Sequence, residues 1–168
     1  MGWPDKVLYL LDANVLIRAH EDYYPIDRVP QFWTWLLAMA DAGFVKMPFE
    51  IHGEIATAKG NLKDWLTDPS NSKKLLLDAQ IDPLDVNKVI EGGYAPDLND
   101  SEVEKIGRDP FLVGYALSYG AAVTVVTKEV SAPSKQRANR KVPDVCKVMG
   151  VRCINDFEFY RELNFKTT

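Results

Sequence analysis

Four short apolar runs, separated by segments of helical character, constrain this chain more than any other feature of its sequence. The runs are Val7–Leu11, Phe44–Met47, Ala121–Val126 and Val151–Ile154. Short apolar runs that end abruptly are typical of strands buried on both faces. Strands that alternate with helices predict a parallel sheet with helices on both sides. We therefore expect an α/β fold, a three-layer α/β/α sandwich with a central parallel sheet of about four strands.

The segments between these runs carry the signals that begin and end helices. Pro30 suits the first position of a helix, and Asn155 with Glu158 fits a capping box for the last helix of the chain. Large apolar residues recur at helical spacing through Arg108–Tyr119, which predicts a strong helix there. The region Asn61–Gly107 is broken repeatedly by proline and glycine and predicts several short helices.

Bulk composition narrows the class of protein. The chain has 168 residues, 46% hydrophobic and 26% charged, which suits a single domain spanning residues 1–168. No apolar run approaches the roughly 20 residues that span a bilayer, and Met1–Lys6 lacks the form of a secretory signal. We therefore expect a cytoplasmic protein with no membrane association. Cys146 and Cys153 are too few for a disulfide framework or a zinc site, and we expect them to be packed thiols.

Four acidic residues lie where a predicted strand meets a helix. They are Asp12, Glu54, Asp109 and Glu129. Open α/β folds bind ligands in the crevice at the carboxyl ends of their strands, so these side chains are expected to converge there. Two carboxylates about 4 Å apart repel by roughly 4 kcal/mol at an effective dielectric constant near 20. A cluster of four therefore predicts a bound divalent cation, with oxygen ligands of the kind that Mg²⁺ or Mn²⁺ prefers.

Each of these residues also has an ordinary structural explanation. Asp12 and Asp109 could cap the helices that follow them, and Glu129 could be an exposed loop residue. Glu54 is harder to explain this way, because it lies one turn too deep in its helix to interact with the helix dipole. Asn14 could orient Asp12 or could simply begin a helix.

One basic segment stands out in a chain whose net charge is −4. Its members are Lys135, Arg137, Arg140 and Lys141, and Lys128, just before Glu129, is a further candidate to contact RNA. This net negative charge argues against a protein that binds nucleic acid over its entire surface. A local charge run is often a solvated loop. Because this one follows Glu129, it is also a candidate for holding an RNA backbone beside the acidic crevice.

Four segments of the chain resemble the PIN (PilT N-terminus) domain family, which includes many nuclease toxins of prokaryotic toxin–antitoxin pairs. The segments are Tyr9–Leu16, Met47–Ile55, Asp109–Ala116 and Val125–Glu129, in the order that the family shows. The resemblance implies a PIN-like α/β/α sandwich that cleaves RNA phosphodiesters with a divalent metal. It gives the acidic catalytic and metal-binding roles to Asp12, Glu54, Asp109 and Glu129.

The resemblance also implies that Thr127 is the polar residue that often lies near the metals. The chain departs from the family pattern at Glu129, where an aspartate is usual. It is also longer than many toxin members, with extra length in Asn61–Gly107 and Ser131–Val142. The glutamate at position 129 affects what the resemblance implies about a second metal ion. The extra length affects what it implies about the substrate and the partner.

The predicted function is therefore that of a divalent-metal-dependent endoribonuclease with one or two Mg²⁺ or Mn²⁺ ions. Single-stranded or looped RNA is the expected substrate, because its bases can be reached. A small antitoxin protein and a second copy of the chain are the candidate protein partners. Apolar surface for such pairing could come from Trp33–Leu37, although we expect most of that segment to pack in the core.

Two alternatives belong to other classes of protein. The first is a catalytically silent PIN-like module that binds RNA or a partner, with acids that only cap helices. The second is an aspartate-based phosphoryl-transfer domain in which Asp12 is the nucleophile. The second alternative is disfavoured because Asn14 stands where a second aspartate would be expected.

Overall fold

The central sheet has four parallel strands, as the sequence predicts. The computed structural model describes residues 7–167, so the N-terminal segment Met1–Lys6, which shows no secretory signal pattern, lies outside the described residues. The strands are β1 (Leu8–Leu11), β2 (Val45–Lys46), β3 (Val123–Val126) and β4 (Arg152–Ile154). Their order across the sheet is β2-β1-β3-β4. Each neighbouring pair is parallel.

Helices form most of the rest of residues 7–167. They are α1 (Ala13–Arg18), α2 (Pro30–Asp41), α3 (Phe49–Ala56), α4 (Asn61–Thr67), α5 (Pro69–Leu75), α6 (Pro83–Val89), α7 (Asp100–Ile106), α8 (Asp109–Tyr119), α9 (Val142–Met149) and α10 (Asp156–Glu162). Two π-helical turns, Ala19–Tyr23 and Ile90–Tyr94, continue α1 and α6. The fold is a three-layer α/β/α sandwich, and the predicted short helices between residues 61 and 107 are present.

Local signals in the sequence set several helix ends. Pro30 begins α2, and the chain turns after that helix at Gly43, whose φ of +87° favours glycine. The predicted capping box at the start of α10 is present, with Asn155 and Glu158 each accepting a backbone N–H of the other.

Opposite faces of the sheet pack against different helices. Tyr9 and Thr124 are register partners in neighbouring strands, so their side chains point to the same face. On that face the ring of Tyr9 packs against Phe159 of α10 at 5.3 Å between centroids. On the other face, α8 packs against β3 and α9 against β4. The sheet is therefore covered on both sides, which explains its continuous apolar strands.

A contiguous hydrophobic core runs from Leu8 in the first strand to Tyr160 in the last helix. Within the Trp33–Leu37 segment, Trp33 and Leu36 are fully buried, which confirms the expectation of core packing for those positions. Cys146 is a buried free thiol and Cys153 a half-buried one. No helix within residues 7–167 is both long and apolar enough to cross a membrane.

The strand order brings two distant parts of the chain to one crevice. The chain passes from β1 outward to β2 and then returns to β3 on the other side of β1, so the connections diverge between β1 and β3. Ligands of open α/β sheets bind at such a point, beyond the carboxyl ends of the strands. Leu11 and Val126, the last residues of β1 and β3, are paired in register. Asp12 and Thr127 therefore emerge side by side.

Candidate functional site

Asp12 lies at the carboxyl end of β1 and is held there by the neighbouring strand. Its backbone N–H donates to the carbonyl of Val126 at 2.9 Å, and only 4% of the residue is exposed. Although Asp12 occupies the N-cap position of α1, its side chain makes no capping hydrogen bond to that helix. Helix capping therefore does not account for this buried carboxylate.

Polar side chains orient Asp12 through one of its two oxygens. The hydroxyl of Thr127 donates to Oδ2 of Asp12 at 2.9 Å, and Nδ2 of Asn14 donates to the same oxygen at 3.0 Å. The backbone N–H of Lys128 fixes the amide of Asn14 by donating to Oδ1 at 3.0 Å. The N–H of Glu129 donates to the Thr127 hydroxyl at 3.2 Å. With Oδ2 engaged, Oδ1 of Asp12 is the candidate ligand for a cation.

The surroundings of Asp12 disfavour its negative charge. Burial raises the pKa of Asp12 to about 6, and the charges of Glu54 and Glu129 raise it further, while the hydrogen bond from Thr127 acts in the opposite direction. The charges that act on Asp12 therefore come from distant parts of the sequence, and Glu129 follows the Thr127 that donates to Asp12. A cation placed among them would reverse this destabilisation.

Asp109 is the most strongly perturbed of the four acids. The alternative explanation of Asp109 as an N-cap is wrong, because Arg108 is the N-cap of α8 and Asp109 is its first helical residue. Burial is the main cause that raises the pKa of Asp109 to about 8, followed by the charges of Asp12, Glu129 and Glu54. Lys141 acts in the opposite direction. The charges of the other three acids therefore all act on Asp109.

Glu54 lies at the rim of this group, on α3. The residue is exposed, yet partial desolvation raises the pKa of its carboxyl, and Arg108 lowers it. Arg108 crosses α3 over Gly53, where an added Cβ would lie 2.7 Å from its Nη1. The same Nη1 donates to the carbonyl of Glu50 at 3.0 Å. Because Gly53 has no side chain, the guanidinium of Arg108 can cross α3 and approach Glu54.

Glu129 has a structural role that the sequence did not reveal. Its Oε2 accepts a hydrogen bond of 2.7 Å from the backbone N–H of Val142, the first residue of α9. That bond satisfies an otherwise unpaired donor at the helix start. One oxygen of Glu129 is therefore used to hold α9, and Oε1 is the oxygen left for a ligand.

The four carboxylates do not form a closed metal cage. Within residues 7–167, no three His, Cys, Asp or Glu side chains are arranged to hold a metal ion. Mg²⁺ is usually bound by one or two carboxylates, and water and substrate phosphates complete its shell. The site therefore fits a cation held first by Asp12 with one neighbouring carboxylate, and it does not fit an ion enclosed by protein ligands alone. The simultaneous ligation by four acids that the sequence suggested is not present in this geometry.

The predicted basic residues divide into separate groups. Lys135, Arg140 and Lys141 line a cavity of about 320 Å³ together with Asp109 and Glu129. Lys128 lines a different cavity, of about 400 Å³, on another side of Glu129 and Thr127.

Arg137 does not belong with the other cations. Its guanidinium forms ion pairs of 2.8 Å with Asp97 and 2.9 Å with Glu102. The guanidinium of Arg137 is therefore already engaged by α7 and the loop before it, and its contact with nucleic acid stays a prediction.

Three residues near the site were not anticipated from the sequence. Arg108 lies beside Glu54, and Tyr94 and Lys105 line the cavity that contains Asp109 and Glu129. Arg108 precedes Asp109 directly, which could have drawn attention to it. Tyr94 and Lys105 lie in the proline- and glycine-rich middle region, where no spacing links them to the acidic residues.

A comparison with protein families finds one informative match. The family model described as a domain of unknown function (DUF4411) matches residues 9–167. The match includes every acidic and basic residue considered above. A comparison with curated proteins finds no match.

Proposed function

We propose that this chain, which belongs to the DUF4411 family, is a divalent-metal-dependent endoribonuclease. The observation that carries the proposal is a carboxylate, Asp12, that is 4% exposed at the carboxyl edge of the sheet, near a cavity that Asp109 and Glu129 line. Burial raises the pKa of both Asp12 and Asp109, and the charges of Glu54 and Glu129 raise it further. Like charges gathered in a crevice at the carboxyl edge of a parallel sheet are the arrangement that a cation site requires.

The proposed cofactor is Mg²⁺ or Mn²⁺, in one or two copies, with Asp12 as its principal protein ligand. When bound, the ion would act as a Lewis acid that activates water and offsets charge on the phosphodiester. One of Glu54, Asp109 and Glu129 is the proposed second ligand of an ion, and the remaining acids are the proposed proton acceptors. Without metal, burial raises the pKa of Asp109 to about 8, and a cation nearby would lower it towards the range in which a carboxylate accepts a proton at neutral pH.

The other polar residues would position these groups. Thr127 and Asn14 hold one oxygen of Asp12 and so fix the direction of the other. Lys141 and Lys135 would attract the RNA backbone to the adjacent cavity. RNA is favoured over DNA by the resemblance to the PIN family, and a cytoplasmic, PIN-like ribonuclease with a small antitoxin or a second copy as partner is the wider proposal.

The test is Mn²⁺-dependent cleavage of mixed RNA by wild type and by Asp12→Asn. The variant keeps the size of the side chain and one oxygen that can accept from Thr127 and Asn14, but it replaces the other oxygen by NH2 and removes the charge. We expect loss of cleavage of at least about a hundredfold, with an unchanged circular dichroism spectrum. Addition of EDTA to the wild type should have the same effect. Cleavage by Asp12→Asn at the wild-type rate would exclude this site.

A catalytically silent module is the second candidate, and two observations favour it. The carboxylates within residues 7–167 form no three-ligand group, and Glu129 already holds the start of α9. Titration with Mn²⁺ separates the two candidates, since a ligand that binds the folded state raises the melting temperature. An increase in wild type that is absent in Asp12→Asn supports the nuclease. No increase in either protein supports the silent module.

A further inference from the structure

The cavity of about 320 Å³ beside the acidic residues combines unpaired cations with a buried hydroxyl. We propose that this cavity is a subsite for one nucleotide of the RNA strand, in which the hydroxyl of Tyr94 donates to a phosphate oxygen between Lys135 and Lys141. The inference rests on the proposed function in that it takes the bound phosphate to belong to RNA. It adds a positioning residue, Tyr94, that lies outside the acidic group.

Tyr94 carries a hydroxyl with no partner in the described part of the chain. The residue is 7% exposed, and its hydroxyl is buried without a hydrogen bond. A buried polar group left in this state costs about 1–3 kcal/mol. Native structures rarely keep such a group unless a ligand, water or ion completes it.

The chemistry of Tyr94 identifies the kind of partner. A tyrosine hydroxyl ordinarily has a pKa of about 10, so the group is protonated at physiological pH and acts as a hydrogen-bond donor. Its partner must be an acceptor, and the nearby cations favour an anionic one.

The cations of the cavity differ in how far they are already engaged. Nη1 of Arg140 donates to the carbonyl of Gly93 at 2.6 Å, and the ammonium of Lys105 donates to Asn139. Within residues 7–167, the ammonium groups of Lys135 and Lys141 take part in no hydrogen bond or ion pair. These two are the cations available to a phosphate.

The position of the cavity connects it to the acidic residues. Asp109 and Glu129 form part of its wall, together with Lys135 and Lys141. A strand whose phosphate lies between Lys135 and Lys141 would thus bring a neighbouring phosphodiester to the acids. The volume is at the lower end of the range for small-molecule sites, about 300–1,000 Å³, which suits one nucleotide.

The experiment measures binding without cleavage. A short fluorescein-labelled single-stranded RNA is titrated by anisotropy, in Mn²⁺, with the Asp12→Asn protein and with the same protein carrying Tyr94→Phe. Loss of one hydrogen bond to a charged group should raise Kd about tenfold. In the same background Lys141→Gln should weaken binding and reduce the slope of log K against log salt by about 0.7.

Matched controls separate this role from a structural one. Tyr160 has the other buried hydroxyl without a partner among the described residues, so Tyr160→Phe tests the loss of such a group elsewhere. Lys73 is exposed on α5, outside the cavity, so Lys73→Gln tests the loss of one surface charge. Both controls should bind RNA as the Asp12→Asn protein does.

The binding experiment and the cleavage experiment distinguish failure of the subsite from failure of the nuclease proposal. If Tyr94→Phe and Lys141→Gln bind RNA no more weakly than their controls, the subsite is wrong even if wild type cleaves RNA. If both weaken binding while wild type shows no metal-dependent cleavage, the subsite stands and the nuclease proposal fails.

Discussion

A buried carboxylate such as Asp12 needs a compensating partner, and its two hydrogen bonds supply only part of that compensation. Thr127 and Asn14 both donate to one oxygen, while Glu54 and Glu129 oppose the charge. Together with burial, these charges raise the pKa of Asp12 to about 6, so its charged form is less favoured than that of an exposed aspartate. At the scale of single residues, the proposed cation would offset a negative charge that its surroundings disfavour.

Replacing Thr127 by valine should weaken metal binding. The change keeps the shape of a side chain that is 1% exposed but removes the donor to Asp12. Loss of such a supporting hydrogen bond costs about 10- to 100-fold in metal affinity or activity. The measurement is Mn²⁺ affinity by calorimetry, together with RNA cleavage.

Thr127→Ser is the control, because it retains the hydroxyl. It should stay close to wild type in both measurements. Equal Mn²⁺ affinities for the valine variant and wild type would show that the hydrogen bond does not orient Asp12.

The raised pKa of Asp109 predicts that, without metal, stability falls as pH rises. The folded carboxyl has a pKa of about 8, against about 3.9 in an unfolded chain. Between these values the folded state holds a proton that the unfolded state has released, so unfolding becomes more favourable as pH increases. Asp109→Asn removes that penalty. In EDTA its melting temperature should exceed that of wild type by more at pH 8 than at pH 5.

Asp144 provides a control of opposite sign. Burial would raise the pKa of its carboxyl, but hydrogen bonds from Ser131 and Ala132 outweigh that effect and lower it. The charged form therefore contributes stability above the unfolded pKa, and this contribution is lost as pH falls. Asp144→Asn should lower the melting temperature more at pH 8 than at pH 4.

The prediction for Asp109 fails if the difference in melting temperature between Asp109→Asn and wild type does not change with pH. That result would show that the pKa of the Asp109 carboxyl is not raised.

At the scale of elements, the π-helical turn Ile90–Tyr94 sets the position of one wall of the cavity. The turn packs against α9 at Gly93, where an added Cβ would lie 2.6 Å from Cγ1 of Val145. Valine is stiff at χ1, so the neighbour has little freedom to move. The absence of a side chain at Gly93 is thus what lets Tyr94 approach the carboxyl edge of the sheet.

Gly93→Ala should destabilise the protein by about 1–3 kcal/mol, the usual cost of overpacking. Urea unfolding followed by circular dichroism measures the change. Gly92→Ala is the matched control, because the nearest atom there is the flexible Met149 sulfur at 3.4 Å. A second substitution, Val145→Ala, should restore part of the loss in Gly93→Ala. Equal effects of the two alanine variants would contradict the close packing.

The elements themselves could be predicted because their signals are local. Asn155 and Glu158 are three residues apart, and their capping box is present. Asp109 shows the limit of such signals, because an aspartate before a proline fits both the N-cap and the first helical position. Only the surrounding packing makes Arg108 the cap.

At the scale of the whole molecule, an ion pair ties the beginning of the fold to its last helix. Nε of Arg18, at the end of α1, donates to Oδ2 of Asp156 at 2.7 Å. The side chain of Asp156 is fully buried and that of Arg18 is 21% exposed. A charge buried in this way becomes strongly destabilising when its partner is removed.

Arg18→Met should therefore lower the free energy of unfolding by about 3 kcal/mol. The double variant Arg18→Met with Asp156→Leu should recover most of that loss, because neither charge is then left unpaired. Lys88→Met is the control, since the ion pair of Lys88 with Asp85 is exposed and such pairs contribute less than about 1 kcal/mol. If the losses in free energy of unfolding caused by Arg18→Met and by Asp156→Leu simply add in the double variant, the two side chains do not stabilise one another.

Contacts between distant residues explain what the sequence did not predict about the site. Arg137 pairs with residues 35 and 40 positions away, and no local pattern distinguishes it from Lys141. Tyr94 reaches the acids only because the turn that carries it packs against α9. The positions of the acids at strand ends were predictable because parallel strands end at one edge of a sheet. Which basic side chains have no ion-pair partner within the described part of the chain was not predictable.

The span between Asp12 and Thr127 also determines when the protein can act during its own synthesis. These residues are hydrogen-bonded although they are 115 positions apart, and Thr127 directly follows β3, the second of the two central strands. A nascent chain still threaded through the ribosome cannot bring them together until that strand and Thr127 have emerged. RNA near the growing polypeptide is thus shielded from the proposed chemistry of this crevice until at least that point of translation.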